Sequence, residues 1–97
     1  MIDKQFLPYF YDEASGDGLV TPANVLVARV IVQEAPAGAA LTFTNGSGGT
    51  VVLTIPASTA VGTIYDIFPC NCTEGLYMSS GAATAGQVTA IAKQYAV

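Results

Sequence analysis

Residues Ala40–Pro56 read ALTFTNGSGGTVVLTIP. Leu41 and Phe43 alternate with Thr42 and Thr44, and Val51, Leu53 and Ile55 alternate with Val52 and Thr54. A period of two places alternate side chains on one face of an extended strand. Between the two runs stand Asn45, Gly46, Ser47, Gly48 and Gly49, residues that tolerate positive φ. Two alternating runs joined through Asn-Gly predict a β-hairpin. Pro56 ends the second strand because it has no N–H to give to a ladder.

Working outward, the same reading holds on both sides. Val25–Glu34, VLVARVIVQE, is long and rich in β-branched residues. Strict alternation puts Leu26, Ala28, Val30 and Val32 on one side and Val25, Val27, Arg29, Ile31 and Gln33 on the other. Both sides are mostly apolar, so this strand is expected to be covered on both faces. Ala35–Gly38, APAG, is expected to turn the chain. Downstream, GTIYDIFP sets Tyr65 and Ile67 opposite Ile64, Asp66 and Phe68. EGLYMSS, a Gly/Ala/Thr loop and a last strand QVTAIAKQYAV follow. No long 3.6-residue pattern occurs, and Gly86, Val88, Thr89 and Ile91 favour strand over helix. Short strands with turns at about ten-residue spacing predict an all-β fold. The expectation is a single antiparallel β-sandwich, jelly-roll or Ig-like, of six to seven short strands.

Residues 1–24 differ from the rest. Phe6, Tyr9, Phe10 and Tyr11 lie within six residues, and an acidic, Gly-containing stretch with Asp12, Glu13 and Asp17 follows. Exposed aromatics are costly unless they dock. The stretch reads as an N-terminal arm that grips the domain or a neighbour, or as a first strand with its turn. The sandwich domain itself is expected over residues 25–97.

The 97 residues suit one domain. Charged residues are 10% of the chain and hydrophobic ones 52%, whereas soluble domains carry about 25% charged residues. Charge is depleted at interface cores. A charge-poor small domain is therefore expected to cover much of its surface with copies of itself or with a larger assembly. The net charge is −4, and the three basic residues, Lys4, Arg29 and Lys93, are far apart in sequence. Without a basic cluster, neither nucleic acid nor an anionic membrane is an expected partner. The most apolar run, VLVARVIV, is too short to span a bilayer. The N-terminus lacks the apolar core of a signal peptide, so a cytoplasmic product is expected.

The chemistry-bearing residues are few. Cys70 and Cys72 are spaced C-x-C, which on a strand points both thiols to one face. Structural zinc needs four ligands, and the chain has no histidine. A redox pair is more usually C-x-x-C. The two are expected to be small buried residues or free thiols in a reducing compartment. Asp12, Glu13, Ser15 and Asp17 fit no EF-hand spacing and read as a solvated turn. Without histidine, a Ser or Cys nucleophile lacks its usual base, so no enzyme, cofactor or metal is expected.

The segment CTEGLYMSSGAATAGQVTAIAKQY, residues 72–95, bears on function. Gly75-Leu76-Tyr77 opens a strand, Gly81–Gly86 form a Gly/Ala/Thr turn, and Val88-Thr89 begin a final strand. This quarter of the chain resembles the closing segment of small β-rich structural proteins of tailed bacteriophages. The resemblance implies a virion component assembled in the bacterial cytoplasm, where both cysteines stay reduced. Within that group a capsid cement or decoration protein fits best. Such a protein self-associates and binds the major capsid lattice. Phe6, Tyr9, Phe10, Tyr11, Val25, Val27, Arg29 and Ile31 are the expected interface. Two other readings stay open. One is a tail- or fibre-associated virion protein. The other is a carbohydrate-binding module with Tyr65, Tyr77 or Tyr95 as its stacking platform.

Overall fold

The computed structural model describes residues 5–95, and they form an all-β fold. The strands are β1 (Phe6–Asp12), β2 (Gly18–Leu19), β3 (Val25–Ala37), β4 (Leu41–Asn45), β5 (Val51–Ile55), β6 (Ile64–Cys72), β7 (Leu76–Ser79) and β8 (Ala85–Gln94). A single 3₁₀ turn, Glu13–Ser15, lies between β1 and β2. Eight strands thus stand where six to seven were expected. The additional one is a two-residue pairing at Gly18–Leu19, too short to carry a period.

The strands make two antiparallel four-stranded sheets, ordered β1-β8-β3-β6 and β2-β7-β4-β5. The pairing is nested: β4 with β5, β3 with β6, β2 with β7, and β1 with β8. The hairpin of Ala40–Pro56 is the innermost tier of one long folded hairpin. Pairs β3–β8 and β4–β7 stitch the tiers into sheets. The arrangement is sandwich-like, with one core between the sheets. Val25, Val27, Val30, Val32, Val88, Ala90 and Ala92 of the first sheet meet Leu41, Phe43, Ile55, Leu76 and Met78 of the second, all buried.

The long strand β3 departs from strict alternation. Its register with both neighbours shifts between Val27 and Arg29. An extra residue in one strand of an antiparallel pair flips the side-chain alternation beyond it. Val25 and Val27 before the bulge, and Val30 and Val32 after it, therefore all face the core. Leu26, Arg29 and Ile31 face outward, opposite Lys93, Ile91 and Thr89 of β8. The assignment of Val25 and Val27 to the same face as Arg29 and Ile31 is thus corrected: these two valines are fully buried. Nor does the whole of Ala35–Gly38 turn the chain. β3 continues through Pro36, which sits in a gap of the ladder between Glu34 and Ala37, and the bend comes at Gly38 with φ 84°.

Residues Phe6–Asp12 are an edge strand paired to β8 over seven register positions. Tyr9 and Tyr11 pack against the core. The acidic stretch is tied down by local bonds. Asp12 accepts from the Ala14 N–H at 3.0 Å and from Gln87 Nε2 at 3.0 Å. The Tyr11 hydroxyl donates to the Gly16 carbonyl at 2.8 Å.

Two loops interlock at one end of the molecule. The Asn45 side chain accepts from the Glu74 N–H at 2.9 Å, and the Gly46 N–H donates to the Gly75 carbonyl at 2.8 Å. Gly46 has φ 76° and lies so close to Glu74 that an added Cβ would meet that residue's Cβ at 2.6 Å. The turn residue therefore serves a close approach as well as a hairpin.

Candidate interaction surface

The register places the outer face of the first sheet residue by residue, because directly opposed residues share a face. One row runs Phe6, Lys93, Leu26, Asn71 across β1, β8, β3 and β6. The next runs Pro8, Ile91, Arg29, Asp66, and the third runs Phe10, Thr89, Ile31, Ile64. Phe68 adds a further ring from β6. Phe6, Phe10, Ile64 and Phe68 are 44%, 57%, 51% and 59% exposed. With rows about 6.8 Å apart and strands about 4.8 Å apart, this face covers on the order of 400 Å². Its apolar part is smaller, because Lys93, Asn71, Arg29, Asp66 and Thr89 stand in the same rows. Leu19, Val51 and Val61 are equally exposed, but they stand on β2, on β5 and in the β5–β6 loop, not together.

Phe6 and Phe68 belong to opposite edges of the sheet, yet their rings meet edge-on with centroids 6.4 Å apart. The two side chains reach toward each other over the middle strands and border a groove of about 620 Å³, with Arg29, Asp66, Ile31 and Ile91 in its lining. Arg29 Nε lies 3.4 Å from Asp66 Oδ1, and both side chains are largely exposed. In water such a pair contributes little. Lys93 Nζ lies 5.9 Å from the centre of the Phe6 ring. Both basic residues among those described, Arg29 and Lys93, stand on this face.

Of the expected interface residues, Phe6, Phe10, Arg29 and Ile31 come together here. Tyr9 and Tyr11 point to the other side of β1, and Val25 and Val27 are in the core. Ile64, Phe68 and Ile91 complete the patch but were not anticipated as part of it. Their signal was the apolar set Ile64 and Phe68 on the outer side of β6, which only the pairing β3–β6 brings beside Ile31. Of the three tyrosines considered for stacking, Tyr65 packs against the core. Tyr77 is half-buried, and Tyr95 lines a hollow of about 270 Å³ with Leu26, Asn71 and Lys93.

Cys70 and Cys72 both point inward from the end of β6, with Sγ atoms 3.8 Å apart. Neither is in a disulfide; Cys72 is buried and Cys70 half-buried. Burial pushes the Cys72 thiol up to about 12, with the adjacent Cys70 adding to the shift through its charge and its hydrogen bond. Among the described residues no group of three His, Cys, Asp or Glu side chains could hold a metal ion. No protein-family model, curated protein or solved structure matches the chain.

Proposed function

We propose that this chain is a jelly roll serving as a non-enzymatic structural protein of a bacteriophage virion, a capsid cement or decoration protein. Its outer face β1-β8-β3-β6 docks on the major capsid lattice and on copies of itself. The observation that carries this reading is the exposed apolar face around the Arg29–Asp66 pair, on a chain with only 10% charged residues. The jelly-roll reading is supported by the strand order, because eight strands paired first with last, second with seventh and so inward describe a double-sheet roll of two Greek keys. That architecture serves capsid and lectin domains alike, so the function is argued from the face and not from the fold.

The size of the face supports a lattice partner. A standard interface buries about 800 Å² on each side, and this face offers about half of that. A single contact would be weak, and copies on a repetitive shell gain avidity only where they are also joined to one another. The ion pair at the centre gains strength once water is excluded and would set the register of docking. The resemblance of residues 72–95 to phage structural proteins points the same way.

The test is attachment. Antibody against the protein is applied to purified virus particles from the source that encodes it, and particles are loaded with wild type, Phe68→Ser or Phe10→Ser protein. Wild-type label on the shell, lost in both variants while they stay folded, is the expected result. Label on tail or fibres would select the tail-associated alternative, and no label at all would remove the virion reading. The hollow beside Tyr95, with Asn71 and Lys93 at its rim, supports one rival, a sugar-binding module. Retention on a glycan array that Tyr95→Ala abolishes would favour it.

A further inference from the structure

We propose that Cys70 and Cys72 form a binding site for one soft monovalent cation held by two thiolates, Cu(I) being the physiological candidate. The site stands on its own geometry and does not depend on the virion reading. Both residues lie on β6 two positions apart, so the strand itself directs both thiols to one face. Their sulfurs stand 3.8 Å apart, opposite Val27 and Val25 of β3. With metal–sulfur bonds of about 2.3 Å, two sulfurs on one ion stand at most about 4.6 Å apart. The observed spacing lies inside that span, so the pair can close on an ion by side-chain rotation, without moving the strand.

The donor set selects the ion. Soft thiolates favour Cu(I), zinc and iron–sulfur centres. Structural zinc takes four ligands and iron–sulfur clusters take four thiolates. The chain has two cysteines and no histidine, and no third His, Cys, Asp or Glu side chain joins the pair among the described residues. Cys72 is too deeply buried to share a metal with a second copy, whereas half-exposed Cys70 gives an ion a way in. An ion content with two sulfurs remains, and a closed-shell monovalent cation meets that condition. Binding forms two metal–sulfur bonds and releases two thiol protons to solvent. No electron is transferred.

The experiment is an anaerobic competition on the reduced, full-length protein, with Cu(I) supplied on a chromophoric chelator. Wild type is expected to withdraw one Cu(I) per chain, to retain no Zn(II) under the same conditions, and to melt at a higher temperature when loaded, because the ion binds the folded state. Cys70→Ser, at the half-exposed position, is expected to keep its circular dichroism spectrum and to withdraw none. Cys72→Ala provides the second loss-of-ligand variant, its fold checked in the same way. Three results would overturn the proposal: Cu(I) left on the chelator by folded wild type, undiminished uptake by Cys70→Ser, or Zn(II) held as firmly as Cu(I).

Discussion

Asp17 shows how single residues hold this fold. Its Oδ1 accepts from both the backbone N–H and the hydroxyl of Ser80, each at 2.9 Å. These bonds tie the turn after β1 to the end of β7, and they hold the carboxyl below its ordinary value. A lowered carboxylate contributes stability above the unfolded value near 3.8, and that contribution is lost as the pH falls through the folded value. Cys72 has the opposite sign. Its raised thiol keeps the proton when folded, so its contribution is whole below the unfolded value near 9 and is lost as the pH rises toward about 12. Urea unfolding followed from pH 2 to pH 11 should show both limbs. Asp17→Asn should flatten the acid limb and Cys72→Ala the alkaline one; unchanged limbs would reject these roles. Neither role was legible in the sequence. Asp17 read as a solvated turn residue, because its partner is 63 positions away. By contrast the shared face of Cys70 and Cys72 followed from their spacing alone, and the pairing with Val27 and Val25 made that face the inner one.

Among the elements, β3 is the one whose reading changed. The β-branched run announced a strand, and the bulge at Ala28 decided its faces. Deleting Ala28 removes the extra residue, and strict alternation then keeps Val25, Val27, Val30 and Val32 on the core face and Leu26, Arg29 and Ile31 outside. Straightening β3 with Ala28 retained would instead turn Val25 and Val27 out, and exposing two buried valines costs about 3–6 kcal/mol, comparable to the whole margin of a small domain. The deletion should therefore leave the protein folded by circular dichroism, as should Ala28→Ser. An unfolded deletion variant would show that the bulge itself is needed for the pairing of β3 with β6. The strands and turn of the hairpin β4–β5 were legible from Leu41 to Pro56 because they are local, but a register shift between Phe43 and Thr44 sets Val51 opposite Thr44 and leaves it exposed, off the face of Leu53 and Ile55. The bulge of β3 was not legible, because it appears only when β3 is laid against β6 and β8 at once.

For the molecule as a whole, the N-terminal stretch links stability to docking. β1 is an integral edge of the first sheet, with Tyr9 and Tyr11 packed against the core and Phe6 and Phe10 facing out. Removing residues 1–12 should thus lower the melting temperature sharply. The double substitution Phe6→Ser and Phe10→Ser should leave it nearly unchanged, because outward side chains do not carry the ladder. In native mass spectrometry at rising concentration, wild type should show oligomers that this double variant lacks. Equal oligomers in both would place self-association on another surface. Phe6, Phe10, Arg29 and Ile31 of the outer face were among the residues singled out in the sequence, but their meeting on one face, and the addition of Ile64, Phe68 and Ile91, arrived through pairing.

By itself the sequence determined what is local. It specified strands and turns, a chain with little charge, one domain's length, and two cysteines directed to one side. Period-two alternation, turn residues and the absence of a helical period act over a few residues and need no partner to be read. Tertiary structure alone decided the nested pairing of eight strands, the bulge that sends Val25 and Val27 inward, and the meeting of Phe6 with Phe68 across the first sheet. These depend on contacts between residues tens of positions apart, where loop closure and shared burial, not local propensity, choose the register.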